Sequence, residues 1–157
     1  MGRMLDALRP FGVVSAAAAG ADLIVLEEAI ARGIGTHVVL PIPVCDFVKQ
    51  SVMDAGTEWV RRFEAVLDHV ANDTNCSLLQ GDESPDDDWF LSAHDQLLDR
   101  ANDVADGDTV VALTIRPPEG ENPPSATDDF AMRAERVGLL VLCIDPRPDS
   151  ASTVVVT

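Results

Sequence analysis

Lysine is almost missing from this chain. Lys49 is the only one, and lysine and arginine together number 11 among 157 residues, against 27 aspartates and glutamates. The formal net charge of −16 argues against nucleic acid as a partner, because phosphate backbones are bound by fields of lysine and arginine. It argues equally against anionic membrane surfaces, and a phosphorylated ligand would need backbone donors or local arginines to offset the field. Long apolar runs are lacking too. None reaches the roughly 18 residues that a membrane-spanning helix needs, and the start, MGRMLDALRPFG, holds too short an apolar stretch for a secretory signal. A soluble cytoplasmic protein is the expectation.

Cysteine is scarce: Cys45, Cys76 and Cys143 are odd in number and far apart, with no CxxC or Cys/His cluster in the sequence to suggest zinc. Cys76 and Cys143 fall in apolar strand-like runs, where buried free thiols are expected. Asn72-Asp73-Thr74 and Asn75-Cys76-Ser77 match the glycosylation pattern, and without a secretion signal both are read as chance. No Gly-x-Ser-x-Gly, His-Glu-x-x-His or phosphate-loop motif is present. Ser15, Ser51 and Ser92 have no identifiable base nearby in sequence. The expectation is therefore no catalytic residue, no metal and no cofactor, and a binding protein rather than an enzyme.

Hydrophobic residues are plentiful at 46%, which excludes a disordered or fibrous chain, and the length suits one domain with a sizeable core. Short apolar runs alternate with helix-like stretches. Strands are expected over Phe11 to Ala16, "THVVLPI", "CSLLQ", "DTVVALTI" and "LLVLCID", with "STVVVT" as an edge strand. Helices are expected over Met4 to Leu8, Leu23 to Ala31, Thr57 to Val70, Asp88 to Val104 and Thr127 to Val137. In the third of these, Trp59, Val60, Phe63, Val66, Leu67 and Val70 recur at helical spacing. Strands of this kind between helices indicate an α/β fold, Rossmann-like and doubly wound in three layers around a mostly parallel sheet of five to six strands. Ligands of such folds bind beyond the carboxyl ends of the strands. The loops that matter are then "AAAGAD", "PIPVCDF", "GDESPDDD" and "RPPEGENPPSATDD".

In the first of these loops small side chains would let a phosphate or sugar approach backbone N–H groups at a helix start, where the dipole favours negative charge. Gly20 can supply an unusual backbone angle, and Asp22 would cap the helix or touch a ligand hydroxyl. The plainer reading is close strand–helix packing with Asp22 as a cap alone. Gly33-x-Gly35 leaves a helix and enters a strand, the reverse of the dinucleotide fingerprint, and reads as a helix end and turn. "PSATDDF" offers Ser125, Ala126 and Thr127 as donors at a second helix start, or as an ordinary N-cap. The acidic run Asp82 to Asp88 lacks the spacing of a calcium loop and reads as solvated. His69, at a helix end, would suit the dipole if cationic.

"SAAAAGADLIVLEEA", then "VVLPIPVCDFVKQSV", then Trp59 and Phe63, together resemble a bacterial branch of the SLOG superfamily. These are Rossmann-like domains related to DNA-processing proteins and to the LOG phosphoribohydrolases. The matching positions are Gly20, Ala21, Asp22, Glu27, Val39, Leu40, Pro41, Phe47, Ser51, Val52, Trp59 and Phe63, and "ATDDF" is similar to the family's phosphate-loop segment. The resemblance implies one domain over residues 1–157 that lacks the family's usual first strand. It also implies binding or sensing of a nucleotide or nucleotide-derived small molecule. Ser15, Gly20, Ala21, Asp22, Glu27, Pro41, Ser51, Ser125 and Thr127 are the ligand-binding candidates it points to. Two alternatives stay open: a divergent phosphoribohydrolase with Glu27 as its carboxylate, and a non-catalytic interaction module, with a homodimer as the arrangement to test.

Overall fold

The computed structural model describes residues 1–82, 89–115 and 125–145, and the backbone of 155–156. The chain divides into two compact units, Met1–Val104 and Ala105–Thr157.

In the first unit, helix α1 (Gly2–Leu8) leads into strand β1 (Gly12–Ser15), helix α2 (Ala21–Ile30) and strand β2 (Gly35–Leu40). Helix α3 (Val44–Ser51), a 3-10 turn (Met53–Ala55), helix α4 (Thr57–Asn72), strand β3 (Ser77–Gln80) and helix α5 (Trp89–Ala105) follow. The three strands form a parallel sheet in the order β1-β2-β3, with Val14 opposite His37 and His37 opposite Ser77. Side chains of a strand alternate between faces, so Val38 and Leu40 point one way and His37 and Val39 the other. Val38 and Leu40 join a core with Leu23 and Leu26 of α2, Phe47 of α3, and Phe63, Val66 and Val70 of α4. Phe47 and Phe63 stack with centroids 6.1 Å apart, and Trp89 of α5 meets Phe47 edge-on at 6.0 Å. The helical spacing of apolar residues in α4 is thus explained: its buried stripe lies on the sheet.

The opposite face of the sheet meets α5. Arg100 of α5 donates to the Ser77 hydroxyl at 2.8 Å, and that oxygen lies 2.9 Å from Nδ1 of His37. Partial burial and the Arg100 charge hold the His37 imidazole below its ordinary pKa. A side chain at Gly12 would lie 3.2 Å from Cγ1 of Val104 and 3.4 Å from the His37 ring, so glycine there permits the helix to sit close.

The second unit contains strand β4 (Val111–Ile115), helix α6 (Ala126–Arg136), strand β5 (Leu140–Ile144) and strand β6 (Val155–Val156). β4 and β5 are parallel, joined by the α6 crossover, and β6 adds antiparallel at the edge. Among its described residues Ala105, Ala112, Thr114, Ala131, Ala134, Val141 and Leu142 are buried.

The chain is therefore α/β and built from parallel β-α-β units, as expected, with β6 at an edge. Two expectations need correction. The strands belong to two three-stranded sheets rather than to one sheet of five to six. The segment "PIPVCDF", expected as a loop, enters helix α3 at Val44. Pro43 ends the extended backbone at φ −53° and precedes a helix whose only buried side chain is Phe47, so the apolar signal was a single residue. Most of the acidic run (83–88), most of the proline-rich loop (116–124) and the stretch 146–154 lie outside the described residues.

Candidate functional site

The alanine run is a turn, not a helix. Ala17 adopts a left-handed conformation at φ 63°, which is costly for a residue with a Cβ, and its side chain is wholly buried. Neighbouring elements hold this conformation. Ala19 N–H donates to the Ser51 carbonyl at 2.9 Å, and Ala18 N–H donates to a carboxyl oxygen of Asp22 at 3.3 Å. Ser51, at the end of α3, therefore acts on the loop through its backbone. Gly20 then serves as N-cap of α2 at φ 109°, with no side-chain cap bond, and a Cβ added there would meet nothing within 4 Å. The space into which a Gly20 side chain would project, at the start of α2, is open.

Asp22 is the chemical centre of this end. Its carboxyl is held above its ordinary pKa by burial, opposed by the Ala18 N–H, the Ser15 hydroxyl and the charge of His94. Ser15 closes β1 and is only 7% exposed. His94 comes from α5, distant in sequence, and was not among the expected site residues. The unit thus assembles Ser15, Gly20, Ala21, Asp22, the Ser51 carbonyl and His94 around one strand end.

Other candidates have different surroundings. Glu27 lies one and a half turns along α2 and receives both nitrogens of the Arg62 fork, Nε at 2.7 Å and Nη2 at 2.5 Å. Arg62 in turn lies 4.1 Å above the Trp59 ring. Both Glu27 oxygens are engaged in tying α2 to α4. Pro41 is buried and abuts Gly81: a side chain at Gly81 would fall 2.1 Å from the Pro41 carbonyl oxygen. Ser125 and Thr127 belong to the second unit. There Ser125 forms a full capping box, its backbone N–H donating to Asp128 Oδ2 at 2.7 Å and its hydroxyl accepting from the Asp128 N–H at 3.3 Å. The cap reading describes Ser125, and Thr127 sits in the first turn beside it.

A second convergence arises at the far end of α4. His69, Asp73 and Cys76 bring one side-chain ligand atom each to within 4.8 Å of one another. Cys76 is partly exposed rather than buried, which corrects the expectation of an interior thiol. The sequence signal was His-x3-Asp-x2-Cys, a spacing that becomes informative only once the helix end and the turn into β3 are known. Cys143 is partly exposed as well.

No protein-family model matches this chain, and no curated protein matches it.

Proposed function

We propose that the first unit binds a small polar ligand of the nucleotide type at the carboxyl end of β1. One observation carries this reading: a strained, fully buried Ala17 holds a turn that leaves the first turn of α2 without a side-chain cap, beside an Asp22 carboxyl destabilised by burial. Strain and an unfavourably placed charge both cost stability, and folds keep such features where a ligand uses them. The backbone N–H groups of Gly20 and Ala21 suit a phosphate or carbonyl oxygen. Asp22 suits a sugar hydroxyl, with Ser15 as an adjoining donor. The net charge of −16 favours ligands with few phosphates over polyphosphates.

The phosphoribohydrolase alternative assigned its carboxylate to Glu27. The Arg62 fork on both Glu27 oxygens favours binding over that chemistry. Calorimetry with nucleosides, nucleoside monophosphates, cyclic nucleotides and ADP-ribose tests the reading. At least one should bind, and Asp22→Ala should weaken it by about tenfold, the equivalent of one lost charge-assisted hydrogen bond. Folded protein that is silent across the panel overturns the reading.

A further inference from the structure

We propose that His69, Asp73 and Cys76 form a binding site for one zinc-class divalent ion. The three residues come from the last turn of α4, its C-cap and the residue before β3. They offer an imidazole, a carboxylate and a thiol, a mixed donor set that suits zinc and cobalt rather than calcium or magnesium, which take oxygen ligands. His69 Nε2 and Asp73 Oδ2 are 3.6 Å apart. Ligand atoms around a tetrahedral zinc lie roughly 3.5 Å from each other, so this pair already has the required spacing. Cys76 Sγ lies within 4.8 Å of both.

The surroundings fit the same chemistry. Asp73 Oδ1 accepts the Asn75 N–H at 2.8 Å, which orients the carboxylate so that Oδ2 turns to His69. Cys76 Sγ accepts the Thr36 N–H at 3.4 Å, a contact that helps to orient the sulfur, as outer hydrogen bonds do for metal ligands. Asp73 and Cys76, though not His69, also border a surface hollow of about 330 Å³. The acidic chain also concentrates cations around itself. An ordinary i,i+4 His–Asp pair explains the 3.6 Å contact. It does not explain a hydrogen-bonded thiol converging on the same point.

Cobalt titration of chelator-treated, reduced protein tests the site. One equivalent should produce visible bands of tetrahedral cobalt and a near-ultraviolet thiolate-to-cobalt charge-transfer band. Cys76→Ser should abolish the charge-transfer band, whereas a Cys45→Ser, Cys143→Ser double variant should keep it. Asp73→Asn and His69→Gln should each weaken zinc binding, measured by competition with a chromophoric chelator, by at least ~10-fold, the lower end of what even an outer-shell change costs. Circular dichroism shows whether each variant is folded. A wild-type protein without the charge-transfer band, or a band that survives Cys76→Ser, overturns the proposal. So does zinc affinity unchanged in both folded ligand variants, which would mark diffuse binding to surface carboxylates.

Discussion

At Asp22, burial raises the carboxyl above its ordinary pKa, although the Ala18 N–H, the Ser15 hydroxyl and His94 all pull it down. The folded protein therefore holds this proton more tightly than the unfolded chain does. The stability associated with the group is full below the unfolded pKa of 3.8 and is lost as pH rises through the folded value. Wherever Asp22 is ionised, its charge is thus a net cost. Asp22→Asn keeps an oxygen for the Ala18 N–H and removes the charge. It should stabilise the protein at alkaline pH by on the order of 1 kcal/mol, with the gain shrinking as the pH is lowered. Urea denaturation of both proteins across that range checks this. A variant less stable than wild type at the upper end would show that the carboxylate is structural, which would also weaken the case for a ligand there.

At the scale of elements, α2 and α4 lie side by side over the same face of the sheet, and their pairing rests on more than apolar contact. The Glu27–Arg62 fork crosses from one helix to the other, and Arg62 also stacks on Trp59 of its own helix. A fork of this geometry, partly shielded from water, sits at the favourable end of surface ion pairs, and the ring contact adds to it. Arg62→Ala should cost about 1–2 kcal/mol and Glu27→Gln less, because the stacking on Trp59 survives. A double-mutant cycle by urea denaturation should return a coupling of about 0.5–1 kcal/mol between the two. A coupling of zero would mean the bridge contributes nothing beyond the separate side chains.

For the whole molecule, charge is the dominant collective property. With 27 acidic and 11 basic residues, the folded chain repels itself more strongly than the expanded one does. Several arginines are already paired locally, as in Arg32 with Asp6 and Glu28, and Arg133 with Asp129. These pairs offset only part of the excess. Raising sodium chloride from about 0.05 M to about 1 M shortens the screening length to roughly 3 Å. The thermal midpoint should then rise by a few degrees, since about 1 kcal/mol corresponds to roughly 2–4 °C at this chain length. A midpoint that falls or stays level would mean that the ion pairs outweigh the net repulsion.

Much of the element pattern was legible from local chemistry. The apolar stripe Trp59, Val60, Phe63, Val66, Leu67 and Val70 marked α4 because a helix repeats every 3.6 residues, and the valine-rich runs marked β2 and β4 because their side chains are buried on a sheet. The alanine run was read as a turn from its place between a strand and a helix. Helix α3 escaped because one buried phenylalanine makes no periodicity. Of the residues gathered at the end of β1, the grouping of Ser15, Gly20, Ala21 and Asp22 was legible because they lie close together along the chain. His94 was not, since α5 reaches Asp22 across more than seventy positions of sequence.

The sequence by itself determined the alternation of strands and helices, the acidic character and the turn after β1, because each depends on neighbours within a few residues. Only the tertiary structure decided how the strands divide between two sheets, since that depends on pairing between distant segments. It alone decided that Glu27 is engaged by Arg62, that Ser125 is a cap with Asp128, and that His69, Asp73 and Cys76 meet. A side chain's chemistry is written in its residue type, but its partners are chosen by packing, and packing is a property of the folded chain.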